Sequence, residues 1–252
     1  MRVVPLTVVV DGVAFREGED LDCEWFYDAL RAAAEVSTAS APPGDLAAAY
    51  AKAAADGARA VLSIHVGSDL SATVGAARVA FAASPIPVEV VDSGTASFAI
   101  GCCVWAAGEA LAGGSALEVA AARARKVARR IGNVFMVRTL DLPRRGGRLA
   151  GDVIASALPI LALEDGAMRA VTQVSDGEEA VDVMGSYVRE WAAAGERLRV
   201  GIGDAQADDL ATQLADRLRR IGIVDEVVRY EVGPSVAAHT GVGTVGAVFH
   251  AS

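Results

Sequence analysis

The stretch SIHVGSDLSATVGAA, residues 63–77, carries hydroxyl side chains at Ser63, Ser68, Ser71 and Thr73, and STASAPPGD adds Thr38 upstream. No lysine or arginine follows this corner until Arg78, and no glycine-rich phosphate cradle is present. Short neutral hydroxyls donate hydrogen bonds to an anionic or polar head group without pairing it to a cation. Backbone N–H groups at the start of a helix add donors of the same kind. Histidine is scarce, with three in the chain. His65 sits in a β-branched run and reads as a core histidine bonded to backbone. His250, two residues from the C-terminus, reads as frayed. His239 lies in AAHTGVGTVGAVF, between a polar corner and closely spaced glycines.

Several standard chemistries are missing. GVGTVG satisfies G-x-G-x-x-G but lacks the strand before it and the helix opening after it that a dinucleotide site requires. There is no G-x-S-x-G elbow, no H-E-x-x-H and no Walker sequence. Asp11, Asp20, Asp92 and Asp204 read as turn and cap residues, with Asp92–Ser93 between a strand and a helix. The three cysteines, Cys23 and the adjacent Cys102 and Cys103, have no C-x-x-C spacing, which argues against a disulfide framework or a zinc site. The adjacent pair, in an apolar helix, reads as buried packing.

The elements that position these residues alternate through the first half. VPLTVVV (4–10) reads as a strand ended by Asp11–Gly12, and LDCEWFYDALRAAAE (21–35) as a helix. PPGDLAAAYAKAAADG opens on Pro42–Pro43 and closes as a helix at Gly57. RAVLSIHV is a buried strand, SDLSATVGAARVAFAAS a helix with Ser68 at its N-cap, and PVEVVDS a second buried strand. SFAIGCCVWAAGEALAGG is an apolar helix, and Ser115 with Glu118 predicts a capping box for the next. Strands separated by helices predict a mainly parallel sheet covered on both faces.

After about residue 133 the rhythm changes to α+β, so two lobes are expected, 1–133 and 134–252. NVFMVRTL reads as a strand and ALPILALEDGAMRAVTQV as a hairpin turning at Glu164–Asp165–Gly166. Two amphipathic helices flank the strand RLRVGIGDA, and EVVRYEVG and VGTVGAVFHA close the chain as strands.

At 252 residues, 53% hydrophobic and 22% charged, the chain is long and apolar enough for a generous core. A net charge of −9 excludes a phosphate-neutralising nucleic-acid face. The start lacks a signal-peptide pattern and no apolar run reaches transmembrane length, so the expected location is cytoplasmic.

STASAPPGDL, SIHVGSDLSATVGAA, VDSGTAS, TLDLPRRGGRLAG, ALPILALEDG and HTGVGTVGAVF occur in this order. Together they resemble the DegV family, over nearly the whole chain. The resemblance implies a two-lobed α/β fold of the DegV (EDD) type with a long-chain fatty acid, such as palmitate or oleate, as bound ligand. It implies no other cofactor, no metal and no catalytic residue. Some bacterial members of the family are the binding subunit of a fatty acid kinase and present the carboxylate to an ATP-using partner. By the same resemblance Thr38, Ser71 and His239 would bind the carboxylate, and Arg148, the arginine of the GGR loop, would contact a phosphate or the partner. The alternative is a stand-alone phosphotransferase or hydrolase using His239, Arg148 and the Asp92 loop.

Three departures qualify the resemblance. The family's first strand and TDS-type loop, upstream of VPL, have no counterpart in this sequence. LSGT reads LSAT, with Ala72 for glycine, and TSQP reads TASA. TQVSDGEEA carries Glu178 and Glu179 where family members often carry bases.

Overall fold

The computed structural model describes residues 1–150 and 157–252. Gly151, the last residue of TLDLPRRGGRLAG, lies outside the described residues. The chain forms two compact units, one of residues 1–21 with 38–129 and the other of residues 22–37 with 130–252.

The first unit begins with a hairpin. β1 (Thr7–Val10) turns at Asp11–Gly12 and pairs antiparallel with β2 (Val13–Arg16). The order β2-β1-β3 places β1 at the centre of a three-stranded sheet, with β3 at Val36–Ala39. The second strand of the hairpin carries no alternating apolar signal, which is why periodicity does not find it. After β3, the helix α2 (Pro43–Ala55) begins on a proline, whose fixed φ suits the first helical position.

The functional half of this unit is a parallel pair, β4 (Val61–His65) and β5 (Val88–Asp92), aligned from Val61↔Val88 to His65↔Asp92. Helices cover both faces. On one, Val61, Val88 and Val90 meet Leu46 and Tyr50 of α2 and Ala77 and Ala80 of α3 (Thr73–Phe81). On the other, Leu62, Ile64 and Val91 meet Cys103 and Ala107 of α4 (Phe98–Ala112) and Ala120, Ala121 and Ala124 of α5 (Leu117–Ala128). The small residues of α4 and α5 let the helices approach closely. Cys102 and Cys103 are buried, as their setting predicts.

Two expected caps are absent. α3 starts at Thr73 with Ala72 as its N-cap, so Ser68 lies in the preceding loop. α5 starts at Leu117 after Ala116, one residue too late for Ser115 to cap it. The Ser68 N–H is taken instead by the Asp92 carboxylate of β5.

In the second unit, helix α1 (Cys23–Arg31) is capped by Asp22, whose carboxylate accepts the Trp25 N–H at 2.8 Å. A six-stranded sheet has the order β10-β9-β11-β6-β7-β8. Its strands are β6 (Ile131–Met136), β7 (Leu158–Glu164), β8 (Ala167–Val174), β9 (Leu198–Asp204), β10 (Val224–Glu231) and β11 (Val245–Ala251). β9 and β10 are parallel, and the other described neighbours antiparallel. The β7–β8 hairpin turns at Asp165–Gly166, as read from the sequence. α7 (Gly177–Trp191) and α8 (Asp208–Ile221) lay Val181, Met184, Val188, Leu214 and Leu218 onto Val134, Met136, Val200, Ile202 and Phe249. Between the sheet strands lie α6 (Asp141–Arg145) and α9 (Pro234–Thr240).

Glu178 and Glu179 have a structural role in this unit. They occupy the first turn of α7, where Asp176 accepts the Glu179 N–H at 2.9 Å and Glu179 accepts the Ser175 N–H at 2.7 Å. Acids here satisfy free N–H groups and oppose the positive end of the helix dipole. His250, expected to fray, is instead buried in β11, paired with Ile131 and Arg199. The terminal strand is held by neighbours on both sides, so closeness to the chain end does not loosen it.

The core of this unit depends on Phe249, which is fully buried with Trp191 and Tyr187 edge-on at 5.1 and 6.4 Å. Phe249→Ala should cost about 3–5 kcal/mol of unfolding free energy. Denaturant unfolding followed by near-ultraviolet circular dichroism checks this, and a loss below about 1 kcal/mol would contradict the packing.

Candidate functional site

β4 and β5 end side by side at His65 and Asp92, and the hydroxyl-bearing loops begin there. Gly67 and Gly94 face each other at the roots of the two loops. A Cβ on Gly67 would meet the Gly94 and Thr95 backbone at 2.6–2.9 Å, so no larger residue fits. The Gly67 N–H donates to the Thr95 carbonyl at 2.8 Å, and the Gly67 carbonyl accepts the N–H groups of Leu70 (2.9 Å) and Ser71 (3.0 Å). That tight turn delivers Ser71 to the mouth of α3.

Ser71 is half-buried, and its Oγ lies 2.8 Å from the Oγ1 of buried Thr73 and accepts the Thr73 N–H at 3.3 Å. The two hydroxyls share one hydrogen bond in which either can donate, and where Thr73 donates, the Ser71 O–H is the one left to donate elsewhere. Ala72 adopts φ −72°, ψ 1°, a conformation open to any residue, so replacing the family glycine strains nothing. Across the corner, Ser93 and Thr95 are buried and form a local turn in which Ser93 Oγ accepts the Thr95 N–H at 3.3 Å. Thr38 lies half-buried in β3 of the same unit.

Beneath the corner runs a polar chain. Tyr50 Oη is 2.8 Å from Ser63 Oγ, which is 2.7 Å from His65 Nε2. The histidine thus bonds to a side chain, where backbone was expected. Ser63 and His65 are two apart on a strand and share its α2/α3 face, so the strand pleat aligns them. Burial lowers the His65 pKa, with the Asp92 charge acting in opposition, and burial raises that of Tyr50 against the Ser63 bond.

The other two residues taken from the resemblance belong to the second unit, and there they meet. Arg148 Nη1 donates to His239 Nδ1 at 3.1 Å and to the Gly146 carbonyl at 3.1 Å. A Cβ on Gly146 would lie 2.8 Å from His239 Nδ1, so the first glycine of GGR makes room for the pair. Burial, and then the Arg148 charge, push the His239 pKa down to about 4. With Nδ1 accepting from a guanidinium, the neutral ring carries its proton on Nε2, so His239 offers a neutral N–H donor. Burial also lowers the Arg148 pKa. Among the described residues no group of His, Cys, Asp and Glu is arranged to hold a metal ion, and no helix is long and apolar enough to cross a membrane.

Residue typing from the sequence missed Asp92 as more than a cap, Thr73 as the partner of Ser71, and the Tyr50–Ser63–His65 chain. The alternation of Ser63 and His65 was the one signal for the last.

The architecture and these loops define a class of two-unit α/β protein with hydroxyl-bearing loops at a parallel-strand terminus. A model of the DegV family, described as "Uncharacterised protein, DegV family", matches residues 1–252, and the chain belongs to that family. A DegV domain-containing protein of Streptomyces coelicolor is 36% identical over 254 residues, covering 98% of this chain and 90% of the relative. The solved structure described as fatty acid binding of a DegV family protein from Thermus thermophilus superposes with a TM-score of 0.92 at 31% identity, covering 100% of this chain and 92% of that one. DegV of Bacillus subtilis, described as a fatty acid binding protein, gives a TM-score of 0.87 at 25% identity over 99% of this chain and 91% of that one.

Two outcomes test this geometry. Gly67→Ala should lower the melting temperature by several degrees, since the added methyl has only backbone to displace; an unchanged melting temperature would refute the close approach. For His239, the unfolded ring takes up its proton near pH 6.5 and the folded ring only near pH 4. The histidine's contribution is complete above pH 6.5 and is lost as pH falls toward 4. His239→Asn, whose Oδ1 can accept the Arg148 bond, should therefore lose less stability than wild type between pH 7 and pH 4.5. Equal losses in paired denaturation curves would contradict the shift.

Proposed function

We propose that this protein buries a long-chain fatty acid such as palmitate or oleate and presents its carboxylate to a fatty acid kinase partner, itself doing no chemistry. The observation that carries the reading is the half-buried Ser71 hydroxyl, fixed at the start of α3 by the Thr73 N–H and by a hydroxyl–hydroxyl bond to Thr73. The relatives from Thermus thermophilus and Bacillus subtilis, described as fatty acid binding, support the ligand class.

The energetics favour neutral donors. Each buried methylene gives roughly 0.8 kcal/mol, so a tail of about fifteen contributes on the order of 12 kcal/mol before the entropic costs of binding. The head group needs hydrogen bonds, because a bare buried anion is costly, but it does not need a strong ion pair. Thr38 and Ser71 are assigned to the carboxylate, and His239 is assigned to it as a donor through Nε2–H. A carboxylate held by such groups keeps its nucleophilic oxygen available for phosphoryl transfer by a cytoplasmic partner. Arg148 is assigned to the phosphate or partner contact, adjacent to the exposed Arg144 and Arg145.

The hydrolase or phosphotransferase alternative is disfavoured by the same pair. A general base needs a vacant nitrogen near neutral pH, and His239 Nδ1 is occupied by Arg148 while burial lowers the ring's proton affinity.

Native mass spectrometry of protein purified without added lipid should show one bound acyl chain, and the delipidated protein should bind labelled oleate. Ser71→Ala should weaken that binding roughly tenfold, the worth of one hydrogen bond to a charged group, with a smaller loss for Thr38→Ala. Absence of both acyl chain and oleate binding would sink the proposal. A large fall in melting temperature with unchanged affinity would make Ser71 a turn residue only.

A further inference from the structure

We propose that Asp92 is the positioning residue of the head-group corner: its carboxylate ties the two hydroxyl-bearing loops together and so sets the Ser71 donor. The inference rests on the fatty-acid reading above and concerns how that site is held. Oδ1 of Asp92 accepts the Ser68 N–H at 3.1 Å and the Gly94 N–H at 3.0 Å, one from each loop. Main-chain links join the same strand ends and loops: the Ser93 N–H to the His65 carbonyl at 3.2 Å, the Gly67 N–H to the Thr95 carbonyl, and the Gly67–Gly94 contact. Asp92 is therefore the side chain whose chemistry decides whether the loops stay in register.

The path to the ligand donor is short. Ser68 adjoins Gly67, the Gly67 carbonyl receives the Ser71 N–H at 3.0 Å, and Ser71 Oγ then engages Thr73. A shift at Ser68 is carried into the direction of the Ser71 hydroxyl.

Asp92 is otherwise a poor choice for this place, since a carboxylate near an anion's binding corner repels it. The clamp accounts for its presence, because one carboxylate oxygen can accept two N–H groups that converge from different loops. Burial penalises its charge, but hydrogen bonds from the Ser68 hydroxyl and the Gly94 and Ser68 N–H groups, with the Arg78 charge, hold its pKa below the ordinary value. The groups that face it are thus donors to its ionised form.

The test uses the delipidated full chain, a fluorescent polyene fatty acid as probe and three substitutions. Asp92→Asn keeps an acceptor at Oδ1 without the charge and should bind within about threefold of wild type. Asp92→Glu keeps the charge but displaces the acceptor by a methylene, and should bind about tenfold more weakly. Asp92→Ala should weaken binding at unchanged stoichiometry, and in a double-mutant cycle Asp92→Ala with Ser71→Ala should be little worse than Ser71→Ala alone, because both remove one donor. Full binding by Asp92→Glu with loss in Asp92→Asn would make charge the operative property and overturn the proposal. Additive effects in the cycle, or affinities unchanged in the folded fraction while melting temperature falls, would overturn it as well. If wild type itself binds no probe, the fatty-acid reading fails first, and that result is distinct from either.

Discussion

Two main chains touch at Gly67 and Gly94 with no side chain between them, and the hydroxyl-bearing corner is built outward from that contact. It exists because β4 and β5 are parallel and in register, so both strands end at one level and release their loops on the same edge. Parallel strands place ligand loops at their carboxyl ends by construction. Helices on both faces, with alanines at the contacts, keep the two short strands rigid enough for the loops to meet at this distance.

Electrostatically, the hydroxyls at the β4–β5 corner of the first unit and the His239 ring of the second are all neutral groups. Ser71 is held by hydrogen bonds, and His239 is held uncharged by burial and by Arg148. Full charges are used for architecture: Asp92 between loops, Arg16 with Asp45, Arg125 with Glu89, and the acids at the start of α7.

The legibility of the sequence varied with the range of the interaction. The β7–β8 hairpin, the proline start of α2 and the burial of the cysteine pair follow from neighbours a few residues apart, and all were readable. The hydroxyls of the 63–73 stretch were visible by type, and the ordered motifs identified the family. The Ser68 cap and the presumed looseness of His250 failed because each was judged from near neighbours alone: the Ser68 N–H goes to Asp92 of a distant strand, and His250 lies in a strand paired on both sides. Residues 22–37, of which 21–35 were read as one more helix of the first lobe, cluster with the second unit, and β3 at Val36–Ala39 was not read at all.

By itself the sequence determined the supply of chemistry: an acidic chain, few histidines, no nucleophile motif, hydroxyls at a strand-to-helix corner, and an order of motifs particular to one family. Only the tertiary structure decided which groups act together. Asp92 meets Ser68 across 24 residues, and Arg148 meets His239 across 91. Such pairings depend on strand register and loop approach, and those are set by the packing of distant segments, which leaves no imprint on the spacing of residues along the chain.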